Sequence, residues 1–345
     1  MRKMASVQRI QGIHPIEDAD AIEVAKVNGW NVVVKRGEFN PGQDIIYFEI
    51  DSFLVDGVPA WQFLVDKNSI EFNGLKGHVL KTVRLRGQLS QGLILSLNSL
   101  GLSQLEFKQG DDLTDVLKIQ KYEPPIPECL VGQVKGMFPS FIKKTEQERI
   151  QNIFDKMAAK YRDVIFEATM KLDGNSMTAY LNNKEIGVCS RGLDLKINEE
   201  NQDNAFIKVF KEKGIEDFLK YYGRNIAVQG EVMGPGICGN REKFSDHEFF
   251  LFDVYDIDRR RHMTPDERSV VVDDMIRFGY SGSFVPNLGY VKVFDQFSNI
   301  DELLKASEIR SINHKTAEGI VYRSNRLIND EIISFKVISN KYLMS

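Results

Sequence analysis

Between Tyr122 and Pro127 the chain reads Tyr-Glu-Pro-Pro-Ile-Pro. Proline fixes φ and has no amide hydrogen, so neither a helix interior nor a central strand tolerates this density, and the segment is expected to be an extended connector. It divides the 345 residues into a leading domain over 1–121, a linker over 122–134 and a trailing domain over 135–345, each large enough for its own core.

The leading domain alternates short β patterns with turn residues: Trp30 to Val34, Asn40-Pro41-Gly42, Ile45 to Ile50, Gly57 and Pro59. Further strands are expected over His78 to Arg86 and Gly92 to Leu97, with glycine permitting a tight turn at Arg86-Gly87-Gln88. This pattern fits a small β-barrel of the oligonucleotide-binding (OB) type. Lys76, His78, Lys81, Arg84 and Arg86 form a basic cluster there, which is either a grip on nucleic-acid phosphates or a solvated face.

In the trailing domain, Thr145-Glu146-Gln147-Glu148 has capping-box spacing, and Ile150, Ile153, Phe154, Met157 and Tyr161 recur on one helical face. Strands over Val164 to Met170, Asn175 to Leu181 and Ile186 to Ser190 are expected to form one antiparallel unit, with Asn182-Asn183 as a turn. A helix near Ala205 to Lys211, strands at Ile226 to Gln229 and Phe249 to Tyr255, and a helix capped by Thr264-Pro265-Asp266-Glu267 follow. A helix around Leu303 and strands at Gly319 to Tyr322 and Ile332 to Val337 complete the domain. The fold class expected is α+β with mainly antiparallel sheet.

Several functions are disfavoured. No apolar run approaches membrane-spanning length and the first residues lead into no hydrophobic signal core, which predicts a cytoplasmic or nuclear protein without a membrane partner. Cys129, Cys189 and Cys238 are widely spaced and read as structural thiols rather than a disulfide framework. The histidines lack zinc-ligand spacing, so any metal is expected on carboxylates. A net charge of −4 argues against coating of nucleic acid by the whole surface while leaving local basic patches free. Gly234 to Gly239 fits the dinucleotide-binding glycine pattern, but no apolar helical stripe follows it, so it is read as a loop. No phosphate-binding loop of the Gly-x-x-x-x-Gly-Lys-Ser/Thr type exists.

The chemistry concentrates at Lys171-Leu172-Asp173-Gly174, which ends a strand and presents a lysine at a sheet edge beside a carboxylate and a glycine. Lysine attacks phosphorus only as the neutral amine, so its surroundings are expected to be electropositive or to hold a metal. Downstream lie Ser190-Arg191-Gly192, Gln229-Gly230-Glu231, Phe252-Asp253-Val254, Glu318-Gly319-Ile320-Val321 and Phe335-Lys336-Val337. Arg191 offers a fork of donors for ribose or phosphate, or else a surface ion pair. Glu231 and Glu318 could orient the sugar or hold waters on magnesium. Phe252 stacks on adenine or belongs to the core, with Val321 walling the other side. Lys336, charged within an apolar strand, suits a phosphate contact.

In order and spacing these six segments resemble the covalent nucleotidyltransferase superfamily of ATP-dependent DNA ligases, RNA ligases and mRNA capping enzymes. With the barrel in front rather than behind, the chain resembles the Deinococcus-type family of nick-sealing RNA ligases. Segments that add to the likeness are Asp20 to Ala25, Val83 to Gly92 and Thr145 to Asn152. The resemblance implies an ATP-dependent RNA ligase that joins 3′-hydroxyl and 5′-phosphate ends through a lysyl-AMP on Lys171, with Mg²⁺ or Mn²⁺. It implies a catalytic set of Lys171, Glu231 and Lys336. It also implies an ATP site of Met170, Leu172, Asp173, Gly174, Arg191, Glu231, Phe252, Glu318, Val321, Lys336 and Lys341, with metal held by Asp173, Glu231 and Glu318. Lys81, Arg84 and Arg86 would contact a nicked duplex bearing an RNA 3′-hydroxyl strand, the protein acting as a monomer. Arg149 is a further candidate, for the departing pyrophosphate.

Two positions depart from the family pattern: Ile338 stands where a second basic residue is usual, with Lys341 as a substitute, and Arg323 stands where lysine is common. The rival readings are a GTP-dependent guanylyltransferase, separable with labelled nucleotides, and a noncatalytic RNA-binding protein, separable by mass analysis of Lys171.

Overall fold

The computed structural model describes residues 2–17, 19–123 and 133–345. The chain forms two compact units, Met1–Ile126 and Pro127–Leu343. Most of the expected linker, residues 124–132, lies outside the described residues, as does Cys129.

In the leading unit the strand Asp44–Phe48 is central, flanked by Ala5–Arg9 and Leu93–Ser96. Ile46 and Phe48 pack with Val7, Leu54 and Trp61, while Ile45 and Tyr47 pack with Ala25, Trp30 and Val32. Both faces of this strand are therefore buried, which is why it reads as a continuous apolar run rather than an alternating one. A meander of Gly12–Ile16, Ala19–Val27 and Trp30–Lys35 and a sheet around Ser52–Val55 and Leu75–Val79 surround it. The hairpin Thr82–Leu85 and Gln88–Gln91 turns through Arg86 and Gly87, whose φ values of 48° and 79° make the glycine the apt residue for a tight turn.

The trailing unit is built on two sheets. The larger runs Val134–Met137, Leu193–Leu195, Glu185–Cys189, Asn175–Asn182, Ile226–Met233, Glu248–Asp256 and Arg261–His262, with Ser283–Phe284 also pairing to Glu248–Asp256. The smaller runs Glu148–Arg149, Ser334–Ile338, Gly319–Ser324, Phe166–Lys171 and Asn287–Val291. Each buries one face in its own core: Met177, Val228, Phe249 and Leu251 pack with helices Ala205–Glu212 and Ile215–Tyr222, whereas Phe166, Tyr322, Phe335 and Val337 pack with Met157 and Leu303. Alternation along a strand then sends Glu167, Thr169, Lys171, Val321, Arg323 and Lys336 to the other face of the smaller sheet.

Four local expectations need correction. The strand Phe166–Lys171 does not join the two that follow it in one antiparallel unit; it pairs with Gly319–Ser324 and Asn287–Val291, strands more than a hundred positions away, which pattern reading cannot reveal. Lys171 consequently ends an interior strand and is not at a sheet edge. The capping box at Thr145 does not form, because Glu148–Arg149 pairs in parallel with Phe335–Lys336 and the Glu148 carboxylate accepts from Asn152 Nδ2 at 2.7 Å. The helix begins instead at Phe154, and its apolar stripe, including Met157 and Phe154, packs as expected. The hairpin turn predicted at Asn182-Asn183 falls on Asn183 and Lys184, with φ values of 49° and 70°. The box at Thr264 is formed in full, with Glu267 bonded back to the cap.

Candidate active site

The site is assembled from both sheets of the trailing unit. After Lys171 the chain crosses from the smaller sheet to the larger, entering it at Asn175. Gly174 has to be glycine for a steric reason: a Cβ there would lie 2.5 Å from the Val232 carbonyl and 2.8 Å from Glu231 Cγ. That close approach brings the Glu231 carboxylate to the Gly174 amide, which donates to it at 3.2 Å. Gly319 is required in the same way, since a Cβ would lie 2.0 Å from the Val337 carbonyl, and it pairs in register with Lys171. Glu318, the residue before it, accepts from Lys171 Nζ at 2.5 Å.

The charges around Lys171 contradict an electropositive setting. Burial alone would lower the lysine pKa, but Glu318 and then Glu231 outweigh it and hold the amine above its usual range, with Asp173 adding to the effect. Glu231 in turn is pushed up to about 7, chiefly by burial and by Glu318, against the opposing pull of Lys171. Glu318, Glu231 and Asp173 therefore favour the charged form of the lysine. The reason is geometric: Glu318 and Glu231 come from other strands and converge on one amine, which spacing along the chain does not display.

A cationic group adjoins these carboxylates. Lys336 lies in register with Arg149 on one side and Val321 on the other. Its pKa is lowered to about 8 by burial, then by Lys171 and Arg149, with Arg191 adding a smaller push. Arg191 is exposed and reaches Glu146 at 3.3 Å, so in the ligand-free protein it makes the surface ion pair. The pocket thus holds both signs, with Glu318, Glu231 and Asp173 acting on Lys171, and Lys171 and Arg149 acting on Lys336.

Phe252 is half-buried in a strand whose neighbours are buried. The pairing register passes from Gln229 opposite Asp253 to Gly230 opposite Leu251, so Phe252 is the extra residue of a β-bulge. Bulges re-aim side chains, and this one frees Phe252 from the core packing its sequence context suggests. The Arg323 guanidinium lies 5.5 Å from its ring centroid. Arg323 is itself buried, donating to Asp253 at 3.0 Å and to Thr169 at 3.1 Å. It lies beneath the site as part of the fold, a role its position in the motif does not advertise.

Other expected residues are placed as follows. Met170 and Leu172 are packed with Met233, Phe250 and Ala317. Val321 is buried. Lys341 does not extend the last strand, which ends at Ile338; it is exposed on the short helix Asn340–Leu343, beyond the pairing that would have aimed it inward. Cys189 is buried, and Cys238 is exposed with its thiol 3.4 Å from the Gly174 carbonyl. In the leading unit Lys81, Arg84 and Arg86 are exposed, Lys76 reaches Asp56 at 3.7 Å, and the hairpin bearing Arg84 also exposes Val83 and Leu85. Sequence reading missed Arg241 and Tyr342, which flank Asp173; neither falls in a recognisable motif, so no signal pointed to them. Among the described residues no three His, Cys, Asp or Glu side chains are close enough to hold a metal directly. No helix among them is long and apolar enough to cross a membrane.

Comparison with known proteins agrees with this geometry. An OB-fold domain model matches residues 4–97. An RNA ligase family model matches residues 164–338, which spans Lys171 to Ile338. A search of curated proteins gave no match. Among solved structures, an apo form of the Naegleria gruberi RNA ligase is 39% identical over 99% of this chain and 97% of that one, with a TM-score of 0.84. A variant of the same enzyme with AMP and Mn matches at 38% identity over 99% and 98%, with a TM-score of 0.84. The form with PPi matches at 38% identity over 99% and 98%, with a TM-score of 0.83. An OB-fold unit followed by a two-sheet unit whose lysine, glutamates and second lysine meet in one pocket, matched over nearly its full length by a known ligase, establishes that this chain belongs to the RNA ligase family.

Proposed function

We propose that the protein is an ATP-dependent RNA ligase that seals 3′-hydroxyl/5′-phosphate nicks in RNA-containing strands through a covalent AMP on Lys171, in the manner of the Deinococcus-type ligases. The observation that carries this is the convergence of Lys171, Glu318, Glu231 and Lys336 from separate strands on one pocket.

In the first step Lys171 gives up a proton to solvent, its neutral Nζ attacks the α-phosphorus of ATP, a P–N bond forms, the bond to the bridging oxygen of the β-phosphate breaks, pyrophosphate leaves, and the second amine proton passes to solvent. AMP then passes to an oxygen of the 5′-phosphate, and the 3′-hydroxyl oxygen displaces it to form the phosphodiester. Lys336, with Arg149 and Arg191, neutralises the phosphates, so nucleotide binding also relieves the repulsion among these cations. Phe252 supplies the face for adenine and Val321 an apolar wall; Met170, Leu172 and Gly174 set the backbone around the lysine.

A divalent ion fits the donor set, because Asp173, Glu231 and Glu318 are hard oxygen ligands and Glu231 lies close enough to Glu318 for the two carboxylates to repel. Since no three converge for direct ligation, these residues would hold Mg²⁺ or Mn²⁺ largely through its waters. Such an ion supplies positive charge against the carboxylates and the α-phosphate. Until that charge arrives, Glu318 keeps Lys171 protonated and oriented, a stored form of the nucleophile.

The domain of residues 1–121 binds the broken duplex through Lys81, Arg84 and Arg86, residues 122–134 link it to the adenylation domain of 135–345, and the enzyme works as a monomer in cytoplasm or nucleus. Incubation with α-labelled ATP followed by peptide mass analysis is expected to find AMP on Lys171; a protein left unmodified while folded refutes the reading. Charge reversal of Arg84 and Arg86 is expected to weaken nick binding and spare self-adenylation, and unchanged nick affinity would remove the leading-domain assignment.

A further inference from the structure

The bulge in the strand Glu248–Asp256 does more than free a ring. An ordinary strand sends consecutive side chains to opposite faces, but the extra residue lets Phe252 and Asp253 both reach one guanidinium, that of Arg323 on the smaller sheet. Arg323 Nε donates to Asp253 Oδ2 at 3.0 Å and Nη1 donates to Thr169 Oγ1 at 3.1 Å, so the group is held from both sheets. Held in this way, the cation lies over the Phe252 ring, 5.5 Å from its centroid. Arg323 is 4% exposed, and a desolvated cation is the kind most strongly attracted to a ring. Phe249, Phe250 and Leu251 are buried in apolar clusters, whereas Phe252 keeps part of its surface open.

We infer that Arg323 is a positioning residue for the nucleobase, fixing the Phe252 ring so that its open surface is set for adenine before the nucleotide arrives. The inference rests on the proposed reading of Phe252 as the adenine platform. A half-exposed phenylalanine without an anchor gives up torsional freedom when a base stacks on it, and a ring already held gives up less. An ion pair with Asp253 would by itself account for a buried arginine. It does not account for the second bond, to Thr169 two residues before Lys171, or for the ring under the cation. Through these contacts the platform is tied to the strand that carries the nucleophile. They also give a physical reason for arginine where lysine is common: a planar fork donates in fixed directions, while an ammonium is a point charge on a flexible stem.

The test is a double-mutant cycle on the full chain, read by calorimetric titration with two probes. One is α,β-methylene-ATP, whose carbon bridge between the α- and β-phosphates blocks transfer of AMP; the other is tripolyphosphate, which has no base. Phe252→Leu is expected to weaken binding of the nucleotide analogue about tenfold through lost stacking. Arg323→Gln should weaken it about fivefold and change tripolyphosphate affinity by less than about twofold. Adding Arg323→Gln to Phe252→Leu should weaken the analogue by less than about a further twofold, because no ring remains to be held. Circular-dichroism melting checks that each variant is folded at the titration temperature. Where Arg323→Gln is not, Arg323→Lys, which keeps a charge opposite Asp253, takes its place, with an expected loss of about threefold and the same dependence on Phe252. Equal losses with and without the ring, an arginine variant that binds the analogue like the parent, or a parallel loss for tripolyphosphate overturns the inference and leaves Phe252 as the platform. If Phe252→Leu itself binds the analogue like the parent, the inference falls together with the adenine assignment of Phe252.

Discussion

Two clusters of charge occupy the inner faces of the same two sheets, and they behave in opposite ways. In one, Arg323 donates to Asp253 at 3.0 Å and Arg268 grips Glu167 at 2.6 and 2.7 Å, with the carboxylates almost wholly buried. In the other, Lys171, Glu318, Glu231 and Lys336 stand half open. Burial alone would raise the Asp253 pKa, but His262 and Arg323 outweigh it and hold the carboxyl well below its ordinary range. Glu231 and Lys336 are displaced the other way, each towards its neutral form. Closed pairs favour charge; Glu231 and Lys336, pushed first by burial, lack partners enough to offset it even though Lys171 is held charged, and substrate phosphates and a cation are partners of the right sign.

Removing one member of each cluster should separate the two roles most sharply. Lys171→Ala is expected to lower lysyl-AMP formation at least about a thousandfold, as loss of a nucleophile does, with a smaller loss of stability than removal of a closed, wholly buried partner. Asp253→Ala should do the reverse: it leaves Arg323 buried and uncompensated, which costs about 3–5 kcal/mol. Denaturant titration reads the second effect. An Asp253→Ala protein as stable as the parent would show that the closed cluster is not structural.

How much of this contrast was legible in the chain depends on the range of the contacts. The order of the six segments marked Lys171, Glu231, Glu318 and Lys336, because each lies in a short motif beside glycine or within a strand. The OB-type leading domain and the α+β trailing one followed from β patterning and the Thr264 box, both local signals. What the sequence hid was pairing. Glu148–Arg149 reads as the start of a helix until Phe335–Lys336 offers it a parallel ladder. Phe252 reads equally as a stacking face or as core until a bulge sets it apart from its buried neighbours. Arg323 reads only as a substitute for a common lysine until Asp253, seventy positions earlier, is found to accept from it. The sign of the field at Lys171 was misread for the same reason, since it is set by residues 60 and 147 positions away.

Glu231 sharpens the comparison through pH. Its folded pKa of about 7 exceeds the ordinary 4.5, so its contribution is favourable below the unfolded value and is lost as pH rises through the folded one. Above pH 7 the charged carboxylate costs stability in the ligand-free protein. Glu231→Gln should therefore be more stable than the parent at pH 8 by roughly 1–2 kcal/mol and gain little at pH 5, after discounting for partial exposure. The closed cluster predicts a different trend, because the depressed Asp253 pKa contributes stability that is constant between about pH 5 and pH 8 and is lost only as pH falls below its unfolded value. Thermal melts of parent, Glu231→Gln and Asp253→Asn at about pH 8, pH 5 and pH 3 test both: the Glu231→Gln gain should shrink between pH 8 and 5, the Asp253→Asn loss should stay level there and shrink only at pH 3, and parallel pH trends would erase the distinction between the clusters.

Lys336 gives the smallest and most specific effect. With a folded pKa of about 8 in the ligand-free protein, it is largely neutral at pH 8.5. A triphosphate placed against it restores the charged form, so ATP binding at that pH should take up a substantial fraction of a proton. Calorimetric titration in buffers of different ionisation enthalpy measures that fraction directly. By linkage, affinity for ATP should weaken as pH rises above 8, by up to about tenfold per unit. Lys336→Arg, which stays charged, should bind ATP with little proton uptake and a flatter pH dependence, even if the altered fork geometry costs affinity overall. Equal proton uptake in parent and variant would assign the titration to another group and would remove Lys336 from the phosphate contacts, leaving Arg149 and Arg191 to carry them.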